Sequence, residues 1–244
     1  MMRGARALLW PAVAAALAFA LLVGLGTWQL RRLGEKEALI QRVEARATGA
    51  AADLPPRAAW ATLKPQDYDF SHVRVSGRYH GGRDALIFTK PPEGFGREPG
   101  YLVLTPFAPV SGGVVLVERG FIPASKAADL ASRAPPEGET TIVGLLHAPQ
   151  TRNLFTPADE PARFIWYTRD PAAMSAALNL GEAAPFTIAL EAQGEPGEFP
   201  RPVPAAPEIV NNHFSYAVTW FSLAFALVVI FALYARGRLG RGAL

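Results

Sequence analysis

His213, Tyr216, Ala217 and Trp220 stand at i, i+3, i+4 and i+7, so in a helix they share one face. That stripe carries an imidazole, which can ligate a metal, beside a phenol and an indole. A second cluster, Gly26-Thr27-Trp28-Gln29-Leu30-Arg31-Arg32, puts Trp28 and Arg31 on one helical face. Gly24 lies about one turn deeper, where a backbone can approach a flat ligand. The guanidinium of Arg31 offers paired donors to a carboxylate. An axial ligand, stacking surfaces and carboxylate partners are the parts that an amphiphilic haem would use. A plainer reading stands beside this one. His, Tyr and Trp all tolerate the headgroup layer, and an ordinary helix pair displays Trp and Arg there too.

Little else in the chain assembles chemistry. Gly94-Phe95-Gly96-Arg97-Glu98-Pro99-Gly100 is glycine-rich, but it lacks the dinucleotide-binding spacing and leads into a strand rather than a helix. His72, His80 and His147 are scattered without the close spacing of a zinc pair, and there is no Ser-His-Asp signature. With no Cys, the chain has no disulfides, thiolate metal sites or thiol catalysis. We therefore expect no enzyme activity.

The two clusters must be held by the long apolar segments beside them. Residues Ala7 to Leu30 form 24 positions without a charge, and Tyr216 to Ala235 another 20. About 20 apolar residues at ~1.5 Å each cross a ~30 Å hydrocarbon core. Ala18-Phe19-Ala20 has the small-x-small look of a signal-peptide cleavage site. The apolar run continues to Gly26, however, which is too long for an h-region and favours an uncleaved anchor. Arg3, Arg6, Arg236, Arg238 and Arg241 flank the runs and supply five positive charges, leaving −2 on the rest of a chain whose net charge is +3. The basic balance thus reports membrane flanks, and nucleic acid is not an expected partner. The cations after residue 235 argue that both termini are cytoplasmic and the central region extracytoplasmic. Antiparallel spans would then bring His213 and Arg31 into one leaflet.

The boundaries expected are residues 1–6 as a cytoplasmic N-terminus and 7–30 as the first span. Residues 31–46 form a helical extension, spaced by Leu33, Ile40, Val43 and Ala47. Residues 47–194 read as a β-rich α+β domain of antiparallel strands, closed into a barrel or curled sheet. Within it, Val73, Val75 and Tyr79 alternate, and His80-Gly81-Gly82-Arg83 reads as a hairpin turn into Ala85–Thr89. A second hairpin joins Tyr101–Phe107 to Val114–Arg119 across Ser111-Gly112-Gly113. Thr140–Leu146, Phe164–Thr168 and Phe186–Leu190 complete the strands. Pro123–Arg133 is an Ala-rich helix candidate; Asp170 to Leu180 is a stronger one, with Asp at the N-cap, Pro at N1 and Gly181 past its end. Residues 195–215 form a Pro-rich, extended connector and membrane entry, 216–235 the second span, and 236–244 a cytoplasmic C-terminus.

The first cluster, with Lys36 and Leu39-Ile40, resembles the opening motif of the Surfeit-locus (Shy-type) cytochrome c oxidase assembly proteins. Asn211-Asn212-His213-Phe214-Ser215-Tyr216-Ala217-Val218-Thr219-Trp220-Phe221 is similar to that family's second-span motif. Between them, Pro99-Gly100-Tyr101 to Thr105-Pro106-Phe107 and Leu116 to Pro123 resemble its central strands. Gly144-Leu145-Leu146, Asn153, Phe155, Pro157 and Trp166 to Asp170 resemble the later ones. Phe121 stands where Trp is commoner, and Gln150 where an acidic residue often follows the Pro.

The resemblance implies a membrane-bound chaperone of the respiratory chain, in the bacterial inner membrane, that assembles the haem-copper terminal oxidase. It implies haem a as the group bound or delivered, His213 as iron ligand, and Trp28, Arg31, Tyr216 and Trp220 around it. The implied partners are the large subunit of cytochrome c oxidase, the lipid bilayer and, as a further candidate, haem A synthase. An alternative within the same resemblance is a scaffold that clamps an oxidase subunit during maturation without binding haem.

Overall fold

Ala- and Leu-rich sequence without a charge favours uninterrupted helix, and helix α1 runs from Met2 to Ala47. Its single proline, Pro11, lies near the N-terminal end. Beyond the apolar run the helix continues through polar sequence, with an exposed Arg32–Glu35 pair at 2.6 Å bridging one turn. The last turn is tied down by Arg46, which donates to the carbonyls of Asp69 (3.0 Å) and Gln66 (2.9 Å). Helix α5 spans His213–Gly240. The computed structural model describes residues 2–191, 199–206 and 211–240. The side chains of Arg3 and Arg6, the terminal Arg241, and residues 195–198 and 207–210 of the Pro-rich segment lie outside what is described.

Two compact units result, one of residues 1–42 with 208–244 and one of residues 43–207. In the first, α1 and α5 are each long and apolar enough to cross a membrane. Their large apolar side chains are mostly exposed, including Leu17, Leu21, Phe225 and Leu233. Water would penalise that surface and hydrocarbon would not.

The second unit is built on one sheet of eight strands: β1 (Ala52–Asp53), β2 (His72–Tyr79), β3 (Ala85–Thr89), β4 (Gly100–Pro109), β5 (Val114–Pro123), β6 (Glu139–His147), β7 (Ile165–Trp166) and β8 (Ala183–Leu190). Their order is β1-β2-β6-β8-β5-β4-β3-β7, with an added pairing of β2 to β4. The sheet is mixed, which corrects the antiparallel expectation. β1 runs parallel to β2, β3 to β7, and β5 to β8. For the β5–β8 pair the reason lies in where the last strand inserts. β8 enters between β6 and β5, and the direction that makes it antiparallel to β6 makes it parallel to β5.

The first expected hairpin does not form. β2 pairs with β6 and β4, while β3 pairs with β4 and β7. Asp84 explains the divergence. It is buried, accepts from Thr105 Oγ1 at 2.7 Å and meets Arg133 at 3.1 Å, so the start of β3 is anchored to β4. The second hairpin, β4 to β5, forms as expected with a bulge at Val103/Leu104. The bulge sets Gly120 opposite Val103 and Glu118 opposite Leu104, leaving Arg119 as the extra residue. Gly120 adopts φ +132°, and a Cβ there would lie 2.2 Å from the carbonyl oxygen of Arg201. Only glycine admits that approach. Through it, Phe121 and Arg201 exchange two backbone hydrogen bonds (2.8 and 2.9 Å), so the described part of the Pro-rich segment, residues 199–206, lies against the sheet.

Helix α2 (Pro65–Tyr68) is a single turn. The Ala-rich candidate shortens to α3 (Ala124–Ala127) and a 3-10 turn at Ala131–Arg133. Helix α4 (Pro171–Ala177) has the expected cap, with Asp170 Oδ1 accepting from the Ala173 amide at 3.0 Å. One core gathers Phe107, Val117, Ile142 and Phe186, with Trp60 edge-on to Phe186. A second gathers Leu104, Leu116 and Trp166 under Met174 of α4 and Leu178, which caps it.

Candidate functional site

The helical unit is held at one end by a polar contact. Nδ1 of His213, the first residue of α5, lies 2.6 Å from Oε1 of Gln29. An amide oxygen only accepts, so Nδ1 is the donor in this bond. Nε2 makes no hydrogen bond among the described residues. Asn211 Oδ1 accepts from the His213 amide at 3.4 Å, satisfying a donor at the helix start.

Small residues let the two helices approach. Ala217 and Ala224 are buried at 1% and 3% exposure, and a Cβ on Gly26 would stand 2.8 Å from the ring of Phe221. The face that α1 turns to α5 is therefore Gly26 and Gln29. Trp28 and Arg31 lie off that face, and both are exposed. Trp28 lies about 100° round the helix from Gln29, and Arg31 about 200°. On α5 the expected stripe divides: Ala217 is buried, His213 and Trp220 are partly buried, and Tyr216 is exposed. The structure thus brings His213 together with Gln29 and leaves Trp28, Arg31 and Tyr216 on outer surfaces. The missed residue had a signal in the sequence. Gly26 and Gln29 stand at i and i+3, a small residue that permits close approach next to a polar one that needs a partner.

A cavity of about 280 Å³ between the helices, lined by Ala12, Ala15, Phe19, Leu227 and Phe231, is apolar. It lies roughly 21 Å further along α5 than His213, at 1.5 Å per residue, and is separate from it.

The sheet unit holds two buried polar clusters. Arg169 and Glu118 pair at 2.6 Å with both side chains almost wholly buried. They line a cavity of about 390 Å³ with Asp69, His147 and Gln150, walled on one side by Val203, Pro204 and Ala205. Gln150 Oε1 accepts from the Arg169 amide at 3.0 Å, and His147 Nε2 donates to the Ala205 carbonyl at 2.9 Å. Burial, then the neighbouring Arg169, hold the His147 imidazole below the usual histidine range, against the opposing pull of Glu118 and Asp69. The second cluster joins Asp84, Thr105 and Arg133 to Arg119, which donates to the carbonyls of Arg133 and Ala134 and lies over the Tyr79 ring. Burial pushes the Asp84 carboxyl up, against Thr105 and Arg133, and the Tyr79 phenol to about 12, against Arg119. Among the described residues no group of three His, Asp or Glu could hold a metal ion.

The SURF1 family model matches residues 16–225. The chain belongs to the SURF1 family. Its relatives include a SURF1-like protein of Rickettsia felis, 27% identical over 221 residues that cover 89% of this chain and 93% of the relative. Surfeit locus protein 1 of Xenopus tropicalis is 29% identical, covering 83% of this chain and 68% of its own. Surfeit locus protein 1 of Homo sapiens is 28% identical, covering 89% and 75%. The matched region takes in both clusters that carry the resemblance, residues 26–32 and 211–221.

Proposed function

We propose that this SURF1-family chain is an assembly factor for the haem-copper terminal oxidase, binding haem a through His213 and delivering it to the large subunit. The observation that carries the proposal is the imidazole of His213, anchored at Nδ1 by Gln29 with Nε2 bare. Metal-bound histidines have that arrangement: one ring nitrogen ligates while the other donates to a fixed oxygen. The donor set fits a haem iron better than a bare ion, which needs several protein ligands. Haem is cargo on this reading, and no bond-making step is assigned to the chain.

The same proposal places α1 and α5 across the bacterial inner membrane, both termini cytoplasmic and the sheet domain outside. The uncharged runs and the cations Arg236 and Arg238 support it. Partners on this reading are the oxidase large subunit, lipid and haem A synthase. A second reading, a scaffold that clamps an oxidase subunit without haem, is favoured by one observation. Leu154 and Phe155 are 94% and 90% exposed on a loop of the sheet domain, a surface that suits protein docking.

The deciding experiment is the visible spectrum of the purified full chain titrated with haem, beside His213→Ala. A ligand role requires a haem spectrum that the variant loses. Equal spectra would leave the scaffold reading. Orientation is tested by a reporter active only outside the cytoplasm, fused at Gly138 or after Leu244. Activity at Gly138 alone supports the two-span arrangement, and activity at the C-terminus overturns it.

A further inference from the structure

We infer that Gln29 is a positioning residue that fixes His213 in the Nδ1–H tautomer and so makes Nε2 the ligating atom. The inference rests on the reading of His213 as a haem ligand, and it adds a residue that types and spacing did not single out.

A neutral imidazole has one N–H and one lone pair, and which nitrogen carries which is set by its hydrogen bond. In water the two tautomers exchange freely. Here Oε1 of Gln29 stands 2.6 Å from Nδ1, and an oxygen can only accept. Gln29 is itself buried at 9% exposure on an apolar helix, where its carbonyl has few other donors to choose from. The pairing holds the ring in one orientation as well as one tautomer, because Gln29 is rooted in α1 and His213 in α5. The close approach of Gly26 to Phe221 and the buried Ala217 bring the two helices near enough for the bond. A ligand imidazole that donates from its far nitrogen is also more basic at the near one, which strengthens the bond to iron. Gln29 has no route to the iron of its own on this account. Its effect passes through the ring.

The test begins without haem. The full chain, labelled with ¹⁵N-histidine and held in detergent micelles, carries only four His, and His213→Ala identifies the signal of interest. The wild type should show Nδ1 protonated and Nε2 bare. Gln29→Met keeps the side-chain length and removes the acceptor, so the signal should move towards Nε2–H. Gln29→Glu restores an acceptor and should restore Nδ1–H. Each protein is then titrated with ferric haem b. Affinity should fall about 10–100-fold in Gln29→Met, the range for losing the partner of a ligating histidine, and recover in Gln29→Glu. An Nε2–H wild type, or an unchanged tautomer in Gln29→Met, overturns the inference. Loss of haem in His213→Ala with full affinity in Gln29→Met also overturns it, while leaving His213 as ligand. If all four proteins bind haem equally, the ligand reading itself fails, whatever the tautomer.

Discussion

Glu118 on β5 and Arg169, which follows β7, form an ion pair at 2.6 Å with 4% and 10% of their side chains exposed. The sheet brings them together from positions 51 residues apart. Desolvating two charges costs more than their attraction returns unless the geometry is good, so removing one partner is worse than removing both. We expect Arg169→Met to lower unfolding stability by about 3–5 kcal/mol, through the carboxylate left buried at Glu118. The double variant Glu118→Leu/Arg169→Met should recover most of that loss. Denaturant unfolding of the three proteins checks both halves. Equal losses in the single and double variants would mean that packing, not charge, sets the cost.

The same cluster gives the domain a pH dependence through His147. Its folded pKa lies below the ordinary value of 6.5, because of burial first and Arg169 second. The unfolded chain therefore takes up a proton that the folded chain refuses as pH falls below about 6.5. Stability from this group is present above that pH and is lost as pH drops towards the folded pKa. His147→Gln should flatten the stability curve between about pH 7 and pH 5 relative to the wild type. A parallel pair of curves would show that His147 stays unshifted.

Much of this was legible in the sequence. The uncharged runs gave the two long helices, alternation gave most strands, and the Asp170-Pro171 cap gave α4. What failed did so for reasons of tertiary structure. His80 to Arg83 has hairpin composition, yet Asp84 finds its partners on β4 and beyond α3, and no local pattern encodes that. The insertion of β8 between β5 and β6 is likewise non-local. At the site, His213 stood out because its chemistry is distinctive. Gln29 did not, because an amide earns notice only once its partner is known. Trp28 and Arg31 carry the more distinctive side chains, whereas the small residues Gly26 and Ala217 lie buried between the helices.

Two sets of apolar residues in the sheet domain should respond unequally to substitution. Phe121 is fully buried, next to Phe95, and its backbone bridges to Arg201. Phe121→Ala should cost about 3–5 kcal/mol, from lost burial and the cavity left behind. Leu154 and Phe155 sit on a loop held by the Asn153 side chain, whose Oδ1 accepts from the Phe155 amide at 2.9 Å. Leu154→Ser/Phe155→Ser removes no packed surface and should change stability by less than about 0.5 kcal/mol. Thermal unfolding distinguishes them. A large loss in the loop variant would show that the two side chains pack in solution against something the isolated chain leaves uncovered.

Spacing between the helices should control the Gln29–His213 bond. Ala217 lies one turn after His213 on α5 and is 1% exposed, so its methyl faces α1. Ala217→Leu adds three carbons at a buried position of α5. The added volume has to be taken up by separation or rotation of α5, since Gly26 already faces the Phe221 ring. Val218, the next residue, is 49% exposed, and Val218→Leu should leave the pair unchanged. The chain contains no Cys, so spin labels on cysteines introduced at the exposed positions Leu30 and Phe214 report the separation without background. Ala217→Leu should lengthen or broaden that distance and release His213 to both ring tautomers, while Val218→Leu should match the wild type. An unchanged distance with an unchanged tautomer in Ala217→Leu would show that α5 accommodates the larger side chain without moving, and that the bond does not depend on this close approach.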